Sequence, residues 1–141
     1  MNELTNHPQI QLGQRALFLA GRALLGIYFI IPGITKITGW ESTSQYMAAH
    51  GVPLIPVLLV VTIILQVGGG ACLLLGYRAR LMAFLLAGLT LLISLFMHDF
   101  WNVEEATQQA HETQNFIKNL AIMAGLMYVA GAPTAAETGG G

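Results

Sequence analysis

The sequence predicts an all-α protein, an integral membrane four-helix bundle with both termini in the cytoplasm. Three observations carry that prediction. Of the 141 residues, 55% are hydrophobic and only 9% are charged, whereas a soluble domain carries roughly 25% charge. The mean hydropathy is correspondingly high, +0.63. The few charges also leave long gaps, with none in residues 42–77, 81–97 or 119–136. A helix crossing about 30 Å of hydrocarbon needs about 20 residues; the last two gaps are slightly shorter than that and the first is longer.

Each element follows from breakers and charges. Residues 1–14 read as a polar N-terminal segment. The first span covers about 15–34, with Arg22 in its first third. Its apolar run is too long for a signal peptide, and Gly33-Ile34-Thr35-Lys36 is a poor cleavage site, so it should remain attached. Gly51, Pro53 and Pro56 interrupt the second gap, which leaves a span over 56–76. The third and fourth spans cover 80–98 and 115–131, and a flexible tail occupies 134–141. One domain over 15–133 therefore holds all four helices. Between spans, Trp40 to His50 can form a short amphipathic helix stopped by Gly51. The polar run after Phe100 and Trp101 should be helical and exposed.

Orientation comes from the basic residues. Arg15, Arg22, Arg78 and Arg80 lie on one side, and Lys36 and Lys118 on the other with Glu41, Asp99, Glu104, Glu105 and Glu112. The arginine side is assigned to the cytoplasm. Loops 35–55 and 98–114 then face outward. Helix packing should use small residues: Gly21, Gly26, Gly68, Gly69, Gly70, the pair Ala83 and Ala87, and the pair Ala121 and Gly125. The glycine triplet either packs against another helix or leaves room for a flat ligand.

Several functions are excluded. A net charge of −1 provides no basic field for nucleic acid. The single cysteine, Cys72, rules out an intrachain disulfide and a cysteine zinc cage. His50, His98, Asp99 and His111 match no metal-ligand spacing, so no metal is expected. No nucleotide, hydrolase or CxxC motif occurs. No cofactor is intrinsic to the chain; any cofactor must be lipid-soluble or carried by a partner.

The residues left for chemistry are polar groups at membrane depth. Gln66, midway along the second span, must find either an interhelical hydrogen bond or a ligand. Lys36, His98, Asp99, Lys118 and Asn119 come from three helix ends that the topology brings to the outer side. They are either snorkelling residues with a Lys–Asp pair tying helix ends together, or the lining of an outward-opening pocket. In the second case Lys36 and Lys118 stabilise negative charge and His98 transfers a proton. The candidate catalytic residues are thus Lys36, His98 and Lys118. Candidate ligand contacts are Gln66, Asp99, Trp101, Asn119, Gly69 and Gly70.

The run Arg22-x-x-x-Gly26-x-x-Phe29-x-x-x-Gly33-x-x-Lys36-x-x-Gly39 resembles the start of DoxX-family membrane proteins. So do Tyr46-Met47-Ala48-x-His50-Gly51-Val52-Pro53 and Gly70-x-x-Leu73-x-x-Gly76-x-x-x-Arg80. The blocks His98-Asp99-Phe100-Trp101 and Asn115-Phe116-Ile117-Lys118-Asn119-Leu120 complete a likeness covering about residues 15–133. The resemblance implies a four-helix bundle in the bacterial inner membrane. It also implies association with redox chemistry, since the family is named after a quinol oxidase subunit and is similar to thiosulfate:quinone oxidoreductase subunits. Some relatives look like membrane anchors for enzymes of thiol and oxidative-stress defence. The family commonly carries a glutamate where this chain has Gln66, so a proton carrier there would be lost. Two functions remain open on this reading. One is a quinone-associated redox subunit, drawing electrons from a partner redox protein. The other is a non-catalytic scaffold that recruits a partner or forms a homo-oligomer. In both, membrane lipid surrounds the chain.

Overall fold

The computed structural model describes residues 7–133, all of them helix or connecting turn. Five helices run in order: α1, Pro8–Thr38; α2, Trp40–Ala49; α3, Ile55–Leu75; α4, Ala79–Met97; and α5, Ala106–Ala130. A single turn of 3-10 helix, Phe100–Asn102, links α4 to α5. Three helical stretches are long and apolar enough to cross a membrane: Pro8–Thr38, Ile55–Leu75 and Ala79–Asn102. By that measure α5 is not a fourth.

Hydropathy placed α3 and α4 to within one residue, but it shortened the outer two helices. α1 begins at Pro8 rather than 15 and ends at Thr38 rather than 34. Pro8 stands in the first turn, where its fixed φ favours a helix start, and no breaker follows until Gly39. Residues 8–14 of the expected polar segment are thus helical; lipophilicity marks only the part of a helix that meets lipid. α5 begins at Ala106 rather than 115, because the Glu105 side chain accepts bonds from the N–H groups of Thr107 (3.0 Å) and Gln108 (2.6 Å). Those bonds satisfy donors that open every helix and hold the Glu105 carboxyl below the usual glutamate range. The tail over 134–141 lies outside the described residues, as do residues 1–6.

α1 and α3 run antiparallel in backbone contact. A Cβ added to Gly26 would lie 2.6 Å from the carbonyl oxygen of Gly70, and one added to Gly70 would lie 2.7 Å from that of Gly26. Only glycine permits that approach. Around this crossing lies the hydrophobic core: Phe29, Leu73, Ala83, Leu86, Ala87, Leu126 and Val129. Gly125 meets Leu25 at ordinary contact distance, whereas Gly21 and Gly68 face open space and Ala121 is exposed. Those three do not pack within the bundle as expected.

The turn from α3 to α4 uses Gly76 (φ 79°) and Arg78 (φ 46°), with the Arg22 guanidinium lying over Gly76. At the same end Arg80 Nε donates to the carbonyl of Ala130 (3.1 Å). Arg22, the α3–α4 turn and the end of α5 thus share one end of the bundle. At the other end, α2 and the 98–105 connection cap it.

Candidate functional site

Above the glycine crossing α1 stays close to α3, with Gly33 against Gln66 and Val67. α2 tucks under the top of the bundle by burying Met47, and Pro32, which has no N–H, withholds the bond that the Tyr28 carbonyl would accept within α1. Between them opens a cavity of about 840 Å³ lined by residues of all five helices. Its walls are mainly aliphatic and aromatic, with a few polar groups, which is the composition of small-molecule sites.

Five of the nine residues singled out from the sequence line it: Lys36, Gln66, His98, Lys118 and Asn119. Gln66 sits on α3 where one turn, Leu65–Gly69, widens to π geometry, a distortion that recurs at functional sites. Its side chain is buried, and Oε1 has no hydrogen-bond partner. Asn119 donates to Ser94 Oγ (3.1 Å), Ser94 to the Thr90 carbonyl (2.8 Å) and Thr90 to the Leu86 carbonyl (2.7 Å). This chain ties α5 to α4 beneath the cavity. Lys36 Nζ donates only to the Pro32 carbonyl of its own helix (3.4 Å), and Lys118 Nζ only to Asn115 Oδ1 (3.4 Å).

The other four lie elsewhere. Asp99 accepts from Asn102 Nδ2 (2.9 Å) and pairs with neither lysine, so the expected Lys–Asp tie between helix ends does not form. Trp101 makes edge-to-face contacts with Phe100 (5.2 Å) and Phe116 (5.8 Å) in an aromatic cluster outside the cavity. Gly69 faces Leu86, and Gly70 faces Gly26 and Ile30. The space beside those two glycines is filled by the neighbouring helices, while Gly68 faces open space.

The sequence reading missed Glu112 and Tyr46. The Glu112 carboxylate is buried, with Oε2 2.7 Å from His98 Nδ1. Its other oxygen is 3.5 Å from the Tyr46 hydroxyl, which also reaches the Met97 carbonyl at 3.4 Å. Partial burial, and then the Glu112 charge, push the Tyr46 pKa upward. With Nδ1 held by a carboxylate, His98 presents Nε2 as its free ring nitrogen. A signal for Glu112 did exist: Glu112, Asn119 and Leu126 recur every seven residues, and all three are buried. Charge alone had placed Glu112 with the exposed run.

The DoxX family profile matches residues 17–99. The chain is 39% identical over 112 residues to inner membrane protein YqjF of Escherichia coli (strain K12), covering 79% of this chain and 80% of that one. Inner membrane protein YphA of the same strain is 28% identical over 114 residues, or 81% of each chain. No solved structure matches.

Proposed function

The chain belongs to the DoxX family, and from that premise we propose that it is a bacterial inner-membrane bundle of four crossing helices whose outer cavity binds a quinone, making it a quinone-associated redox subunit. The observation that carries the reading is the convergence of Lys36, His98, Lys118, Gln66 and Asn119 on one largely apolar cavity.

Support for α5 as the fourth span comes from register. It pairs with α4 at Ala130–Arg80, Asn119–Ser94 and Glu112–His98 in turn. It therefore runs antiparallel to α4 over the same depth, which supports reading it as a fourth span. Its apolar side chains after Phe116 suit lipid, and the polar residues before it stand above the membrane. The four arginines at the opposite end favour cytoplasmic termini. The inner membrane location agrees with the names of both relatives.

The cavity fits the proposed ligand. Its volume is in the range of small-molecule sites, about 300–1,000 Å³, and the unpaired Gln66 Oε1 is an acceptor waiting for a donor. A bound quinone would supply two carbonyl oxygens that become hydroxyls when it takes two electrons from a partner redox protein and two protons. Lys36 and Lys118 donate hydrogen bonds to such oxygens, while Gln66 accepts from a hydroxyl. Since Gln66 does not titrate, proton exchange falls to His98 Nε2. Glu112, 2.7 Å from Nδ1, fixes the orientation of the ring. The aliphatic walls exclude water and keep these bonds strong.

Native mass spectrometry of the protein, released gently from its own membranes, tests this reading. A bound mass matching a quinone, lost in Lys36→Ala, is expected. A bare chain, a homo-oligomer or a complex with another polypeptide would replace it with the scaffold function.

A further inference from the structure

We infer that the cavity takes an anion: a lipid-soluble weak acid whose ionised carboxylate or phenolate pairs with Lys36 and Lys118. The inference rests on the cavity being a binding site and goes on to name the charge of what enters it.

Within residues 7–133 neither lysine has a counter-charge at ion-pair distance. Among the described residues the one ion pair is His98–Glu112. Of the carboxylates on that side, Glu41 accepts from Gln45, Asp99 from Asn102 and Glu105 from the start of α5, and the exposed Glu104 pairs with neither lysine. Glu112 is shared by His98 and Tyr46. What remains for Lys36 is a long bond to a carbonyl on its own helix, and for Lys118 a long bond to a neutral amide.

Depth makes this arrangement costly. Gly33 packs against Gln66 and Val67 in the middle of α3, and Lys36 stands one turn farther out. That places it about 12 Å below Ile55, the outer end of α3, at about 1.5 Å per residue. A lysine side chain does not extend so far, so its ammonium group faces the cavity rather than the headgroups. An unpaired charge in such surroundings is strongly disfavoured. A neutral carbonyl oxygen would accept a hydrogen bond and leave the charge uncompensated. An oxyanion does both, and the bond it accepts is charge-assisted and shorter. Phe29, Leu59, Leu65, Leu89 and Ile93 supply apolar walls for the body of the acid. Gln66 offers a deeper site for a hydroxyl or N–H on the same molecule.

Phospholipid phosphate shares the oxyanion chemistry, so the test must separate the two sources. The full chain in a neutral detergent is titrated with decanoate, 1-decanol and decylubiquinone, with complexes counted by native mass spectrometry. Decanoate is expected to bind about ten-fold more tightly than 1-decanol, which has the same tail without the charge. That preference should vanish in Lys36→Met/Lys118→Met at unchanged helical circular dichroism, and survive in Lys36→Arg. Equal affinity for decanoate and 1-decanol, or a preference that persists in the double variant, overturns the inference. Decylubiquinone binding without a decanoate preference sinks the anion alone, while failure of all three probes sinks the cavity as a binding site. One-for-one displacement of decanoate by phosphatidylglycerol supports the oxyanion pairing and makes a membrane lipid its source.

Discussion

The two ends of this bundle are made from the same helices and solve opposite problems. At the inner end, Gly26 and Gly70 bring α1 and α3 into backbone contact, and Leu73, Leu86 and Leu126 are fully buried around them. At the outer end a cavity lies between the helices, and the buried Gln66 and Asn119 line it. Lipid is as apolar as leucine, so membrane helices gain nothing by hiding hydrophobic side chains from it and associate by close packing. The inner end exploits that rule. The outer end forgoes it around a cavity that Gln66 Oε1, a buried acceptor without a partner, lines.

The contrast can be broken most severely at the crossing. Gly70→Ala puts a methyl group against the Gly26 carbonyl, where backbone must move. Overpacking of that kind costs about 2–3 kcal/mol, to be read as a lower unfolding midpoint in mixed micelles. Gly68→Ala, two residues earlier on the same helix and facing open space, should leave the midpoint unchanged or raise it, by at most the ~1 kcal/mol advantage of Ala over Gly. Equal damage from both would contradict the packing account.

At the cavity, Lys36→Met should weaken quinone binding about ten-fold, or ~1.4 kcal/mol, with little effect on the unfolding midpoint. Beneath it, Asn119→Ala removes the bond from α5 to Ser94. Interhelical bonds of this type are worth about 0.6 kcal/mol on average, so a small drop in midpoint is expected.

The smallest effect is at the start of α5. Hydrogen bonds from Gln108 and Thr107 hold the Glu105 pKa below its unfolded value. The stabilisation is therefore present above the ordinary glutamate pKa and is lost as pH falls through the lower folded one. Hydrogen exchange at the Thr107 and Gln108 amides should accelerate in that acidic window. In Glu105→Gln the exchange should already be faster at neutral pH, with no acid step.

How much of this was legible in the sequence depended on which physics left a one-dimensional trace. Charge-free runs located α3 and α4 because lipid imposes a length. The ends of α1 and α5 were misplaced because a helix continues past the lipid for as long as caps and propensity allow. Lys36, Gln66 and Asn119 stood out because polar residues at membrane depth are rare. Asp99 and Trp101 were drawn in by proximity along the chain, and the structure turns both to local partners. Gly69 and Gly70 could be read as a slot or a seam, and only the opposing helix decides between them. Glu112 needed a partner from another helix to acquire meaning, although its spacing to Asn119 was visible.

The central claim is that the outer end is a ligand site while the inner end is a packed seam. Its most direct test is equilibrium binding of decylubiquinone to the wild type and to Lys36→Met in nanodiscs, followed by quenching of the two tryptophans, Trp40 and Trp101. The account predicts saturable quenching in the wild type and about ten-fold weaker saturation in the variant. Quenching that rises without saturation, and identically in both proteins, would contradict it.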